Sequence, residues 1–172
     1  EAPIHWRLLT THRVTCPAEA LQCVEWYRQR WHIEQLFRTL KRQGLKVEGS
    51  QVETGEGLTK LACLAVQAAV RTLQLTLARE ADSAALAADV FDPEEIEVLQ
   101  GILPTLEGKT DKQKNPHRPG SLAHAAWVVA RLGGWKGYAS EAKPGPITML
   151  HGLQRLEAIC LGWRLGKDVC ID

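Results

Sequence analysis

The chain has 172 residues, 45% of them hydrophobic and 24% charged, with a formal net charge of +1. That balance supplies enough apolar surface for a core and excludes wholesale disorder. The near-neutral sum decides neither for nor against a nucleic-acid partner, because distribution matters more than total. Arg28, Arg30, Arg38, Lys41, Arg42 and Lys46 crowd one short stretch, whereas acidic residues gather between Asp82 and Glu107. The cysteines (Cys16, Cys23, Cys63, Cys160, Cys170) are odd in number, form no CxxC pair and lack histidines at zinc-ligand spacing. Reduced thiols in a cytoplasmic protein are the expectation. No signal peptide begins the sequence, and its longest apolar run, Leu58 to Ala78, is interrupted by Lys60, Gln67, Arg71 and Gln74. No membrane association is expected.

Ile4 to Thr10 reads as a strand, with a turn over residues 10–13. A lone strand leaves its backbone donors and acceptors unpaired, so partner strands are expected to precede it. Pro17 suits a first helical turn, and no glycine or proline interrupts Ala18 to Arg42, where apolar residues recur at helical spacing. Gly44 is the expected cap; one long helix or two with a kink near Trp31 both fit. Val47 to Gly57 should be loop. Leu58 to Arg79 predicts a second helix, apolar on most sides and therefore buried. A short helix is expected between Asp82 and Val90. Asp92, Pro93 and Glu95 form a strong start for a helix running to about Leu103. Gly108 to Gly120 is polar, basic and punctuated by proline, as a linker would be. Ser121 to Leu132 predicts a helix stopped by Gly133 and Gly134; Lys143 to Pro146 is another break, and Thr148 to Leu165 a last helix.

The segment from Trp26 to Lys41 carries the chemistry. At about 100° per residue, Tyr27, Arg30, Glu34 and Lys41 fall within about 60° of one another. Trp26, Ile33, Leu36, Phe37 and Leu40 form a neighbouring apolar stripe predicted to pack on a core, and His32 falls off the polar stripe, at the surface. Two readings fit the polar stripe. One is a solvated face with an Arg30–Glu34 ion pair. In the other, Glu34 binds a hard divalent cation while the cations grip phosphates.

Tyr27, Arg30, Glu34 and Lys41, separated by two, three and six residues, resemble the YREK signature of the insertion-sequence-four family of DDE transposases. Trp6-Arg7-Leu8-Leu9-Thr10 is similar to that family's last core strand before the signature helix. Residues 130–135, 144–148 and 152–156 are similar to its C-terminal region. The resemblance implies a ribonuclease-H-like fold in which two aspartates and a glutamate bind two Mg²⁺ or Mn²⁺ ions. It implies Glu34 as the third, catalytic metal ligand, and Tyr27, Arg30 and Lys41 as contacts to phosphates near the cleaved transposon end. Water would attack there to release a 3′ hydroxyl, which then attacks in turn. Trp6 lies where related transposases receive a base turned out of the duplex, although an indole on a strand equally suits a core. Arg38 and Arg42 fit further phosphate contacts or solvated positions, while Trp135 and Trp163 read as packing anchors.

No aspartate precedes Asp82. The chain thus carries the third carboxylate without the first two, and alone it is expected neither to nick nor to join DNA. The fold class expected is mostly α with an N-terminal strand: the C-terminal portion of a ribonuclease-H-like core followed by a helical dimerisation region. The divisions are 1–79, the end of the catalytic core; 80–107, a helical connection; 108–120, a basic linker; and 121–172, the dimerisation region. Partners implied are transposon terminal inverted repeats and a second copy or a full-length transposase. Leu150, Leu153, Leu156 and Ile159 form an apolar stripe suited to such pairing or to packing within the chain. Three functions stand: part of a transposase, a truncated and inactive DNA-binding inhibitor of one, or a helical scaffold with no nucleic-acid role.

Overall fold

The computed structural model describes residues 5, 7–41, 47–79, 84–138 and 141–169. Five α-helices dominate: α1 (Pro17–Lys41), α2 (Gly55–Ala78), α3 (Pro93–Leu106), α4 (Leu122–Leu132) and α5 (Pro146–Val169). Their starts follow local chemistry. Pro17 opens α1, and the Thr15 backbone N–H and hydroxyl both donate to the Glu19 carboxylate, at 2.5 and 2.8 Å. The Thr54 hydroxyl caps α2 by accepting from the Gly57 N–H, three residues earlier than the sequence suggested. Asp92 and Glu95 form a reciprocal capping box at α3, with Pro93 in the first turn. The Ser121 hydroxyl accepts from the His124 N–H at the start of α4. α1 is continuous through Trp31, so the kink alternative falls away. α3 continues past Leu103 through Pro104 to Leu106, and α5 is longer than expected at both ends.

One core joins α2, α3, α4 and α5. Leu75, Val98, Val128, Val129, Met149 and Leu156 are fully enclosed in it, and α4 is buried along nearly its whole length. α5 crosses α4 closely because Gly152 brings its backbone against Val129; a Cβ there would overlap the Val129 carbonyl oxygen. Leu150 and Leu156 are buried, and Leu153 and Ile159 pack partly buried against the same core. The stripe suited to pairing is therefore spent within the chain, since the hydrophobic gain is largest where α4 already lies.

Three expectations need correction. His5 and Arg7–Thr10 form no strand, and among the described residues β structure is limited to an isolated bridge between Leu86 and Ser121. Ile4 and Trp6 lie outside the described residues, as do Arg42, Gly44 and Lys46. Without a neighbouring strand to complete their hydrogen bonds, residues 7–10 stay irregular. Secondly, α2 is not buried all round. Ala65, Ala69, Thr72, Leu75 and Ala78 make one buried stripe, while Leu58, Leu64, Val66, Val70 and Leu77 are exposed. By length and composition α2 would suffice to cross a bilayer, which the sequence reading had excluded. Its place here is against α1, α4 and α5, with Arg71 ion-paired to Glu95 of α3 at 2.5 Å. Thirdly, α1 packs against α2 and the 3-10 turn Val47–Gly49, so its apolar stripe has little to cover it. Trp26, Ile33 and Phe37 are half exposed and Leu36 and Leu40 intermediate; Thr39 is buried, its hydroxyl donating to the Gln35 carbonyl.

The linker holds fixed structure. A 3-10 turn spans Asp111–Gln113, and the Asn115 amide donates to the His124 carbonyl while the Asn115 N–H donates to Glu107. The expected helix near Asp82–Val90 is a 3-10 turn, Ala87–Asp89; residues 80–83 lie outside the described residues.

Candidate nucleic-acid interface

Helical periodicity places Tyr27, Arg30, Glu34 and Lys41 on one side of α1, and the structure keeps all four accessible. Arg30 Nη2 lies 2.6 Å from Glu34 Oε1, with the two side chains 60% and 44% exposed. The Arg30 guanidinium also sits 5.7 Å from the centre of the Tyr27 ring, a cation–π contact. One turn of chain further on, Lys41 Nζ pairs at 2.8 Å with Glu48 Oε1. Tyr27, Arg30 and Glu34 thus form one contiguous group, and Lys41 stands apart, tied to the 3-10 turn. His32 is exposed, as its angular position predicts. Trp6 lies outside the described residues.

Both ion pairs are exposed, and such pairs contribute only about 0–1 kcal/mol. They hold the cations in place without holding them tightly. A phosphate can therefore exchange for Glu34 or Glu48 at little cost, so the stripe suits a polyanion that approaches from solvent.

A metal is a different matter. Glu34 is the carboxylate of the contiguous group, and among the described residues no group of three or more His, Cys, Asp or Glu side chains is placed to hold a metal ion. Mg²⁺ and Mn²⁺ need several oxygen ligands, so these residues alone do not fit one.

Residues 5–73 match the family model of the transposase DDE domain. The match covers less than half of the chain, but it takes in all of α1 and most of α2, hence every member of the polar stripe. It supports a transposase-related function for the segment on which the stripe lies.

One concavity escaped sequence reasoning. The C-terminal end of α2, the 110–117 segment, α4 and the segments flanking residues 139–140 enclose about 670 Å³. Trp127, Trp135 and Tyr138 form its aromatic lining, and Arg79, Lys112 and Lys143 are among its polar residues. Trp135 was read as a packing anchor, and it does rest against the core. Its indole Nε1 is nevertheless buried with no hydrogen-bond partner among the described residues. No local pattern reveals this cavity, because its walls come from four separated stretches of chain.

Proposed function

We propose that this chain acts in DNA transposition as the part of a DDE transposase that carries the signature helix. Tyr27, Arg30 and Lys41 contact backbone phosphates at a transposon end, and Trp6 stacks on a base turned out of the duplex. Glu34 is the third carboxylate of a Mg²⁺ or Mn²⁺ site whose remaining carboxylates come from another polypeptide segment. The observation that carries this reading is the exposed Tyr27-Arg30-Glu34 group, followed by Lys41, inside the segment that matches the transposase DDE domain. The spacing of the four residues favours the insertion-sequence-four family within that class. The exposed apolar side chains of α1 and α2, among them Leu21, Trp31, Phe37 and Leu64, suit a surface that the rest of a ribonuclease-H-like core covers.

A second reading follows from the lone carboxylate: a catalytically silent DNA-binding protein that competes with, or pairs with, an intact transposase. Its pairing surface would have to lie outside the buried stripe of α5.

Duplex binding tests what the two readings share. Fluorescence anisotropy on a terminal-repeat duplex should show affinity falling with salt. Arg30→Ala and Lys41→Ala should each lower the slope of log K against log salt by about 0.9. A folded chain with no salt-dependent binding would leave the helical scaffold as the better description.

A further inference from the structure

We infer that the cavity between the end of α2, α4 and the loops on either side of residues 139–140 is a nucleotide site, with a planar base on its indole wall and the phosphate at its cationic rim. The inference rests on the geometry of this cavity and on nothing in α1. Its volume of about 670 Å³ suits a small-molecule ligand rather than a single ion or solvent alone. The lining combines two chemistries that rarely serve one ligand. Trp127, Trp135 and Tyr138 offer flat aromatic surface, on which any base can stack. Arg79, Lys112 and Lys143 outnumber the one carboxylate, Glu141, whose Oε2 already accepts the Lys136 N–H at 2.9 Å. An aliphatic ligand would waste the cations, and inorganic phosphate would waste the rings.

The Trp135 indole gives an independent sign. Its N–H is donor only, is buried, and lacks a partner among the described residues. Buried donors are nearly always satisfied in native proteins, and packing against the core does not satisfy this one. A ring nitrogen or carbonyl oxygen of a base would.

The wall is also held in place before any ligand arrives. The Arg131 guanidinium donates to the Leu106 carbonyl at 3.1 and 2.7 Å, and to the Trp135 carbonyl at 3.2 Å and the Lys136 carbonyl. Gly134 and Gly137 flank Trp135 with φ of 96° and 75°, a backbone that L side chains rarely adopt. At the rim, the Arg79 guanidinium donates to the Pro144 carbonyl, which fixes its direction. Ligand binding therefore costs little ordering of the site.

The base and phosphate belong either to an unpaired residue of a DNA strand or to a free nucleotide. Calorimetric titration of the 172-residue chain with deoxyadenosine monophosphate, deoxyadenosine, inorganic phosphate and a short oligothymidylate separates these sources. The monophosphate should bind more tightly than deoxyadenosine or phosphate by at least about tenfold. Tighter binding of the oligonucleotide assigns the site to a strand, and preference for the monophosphate assigns it to free nucleotide; both support the inference. The double variant Lys112→Ala/Lys143→Ala should lose at least about tenfold, with circular dichroism unchanged. Trp135→Phe, which keeps a ring and removes the N–H, should also weaken binding. Three results would overturn the inference: no nucleotide binding by the folded chain, binding indifferent to the lysine pair, or loss caused instead by Arg30→Ala/Lys41→Ala. Duplex affinity lost in the α1 variants with nucleotide binding intact would separate this site from the transposition reading.

Discussion

Replacing Glu34 by glutamine keeps the side chain's shape and removes its charge, and it should tighten duplex binding in the absence of divalent metal. Arg30 Nη2 and Glu34 Oε1 are 2.6 Å apart, yet the side chains are 60% and 44% exposed. An exposed pair at this spacing stabilises a helix by about 0.3–0.5 kcal/mol. Its loss should therefore lower Tm by no more than about 2 °C. DNA feels the change more strongly. A phosphate gripped by Arg30 lies about 6 Å from the carboxylate, and with a water-like dielectric the repulsion is about 0.7 kcal/mol. That corresponds to about threefold in Kd. The assay is anisotropy of a labelled terminal-repeat duplex in EDTA, at about 50 to 200 mM salt, with a melting curve for each protein. Glu34→Gln that folds normally and binds no tighter than the parent would refute the idea that phosphates approach this stripe.

Two further outcomes test the fold beneath the site. Gly152→Ala places a methyl against the Val129 carbonyl and 2.7 Å from Val129 Cγ1, and should destabilise the chain by about 1–3 kcal/mol. Gly101→Ala on α3, with open space around it, should stabilise by up to about 1 kcal/mol; equal effects in thermal melts would undo the close α4–α5 crossing. Burial, with the His117 charge second and Glu107 opposing, holds the His124 imidazole below its ordinary pKa of 6.5. The unfolded chain then takes up a proton that the folded chain resists, so stability falls as pH drops below about 6.5. His124→Gln should flatten that part of the Tm–pH profile, and an unchanged profile would remove His124 from the acid response.

Helix starts were legible because capping is local: Pro17, Asp92 with Glu95, and Ser121 each meet their partners within four residues. The Arg30–Glu34 pair was legible for the same reason, as i,i+4 geometry follows from helix pitch. Burial was not. The apolar composition of α2 shows what the helix can cover but not which neighbours arrive, and one stripe of it found α4 and α5. The stripe on α5 fits a partner chain or its own core equally well in sequence, and the nearer core won. The Lys41–Glu48 pair and the Trp135 cavity depend on where separate segments meet, which no spacing rule reports.

The most direct test of the central claim is a nicking assay on transposon-end DNA with Mg²⁺ or Mn²⁺. The chain is run alone, then mixed with a fragment supplying aspartate-bearing strands, each with and without Glu34→Ala. The account predicts no nicking by the chain alone and nicking in the mixture that disappears in Glu34→Ala. Glu34-dependent nicking by the chain alone would contradict the need for outside carboxylates. A mixture that binds DNA but never nicks would contradict Glu34 as a working catalytic residue and leave the silent DNA-binding protein as the better reading.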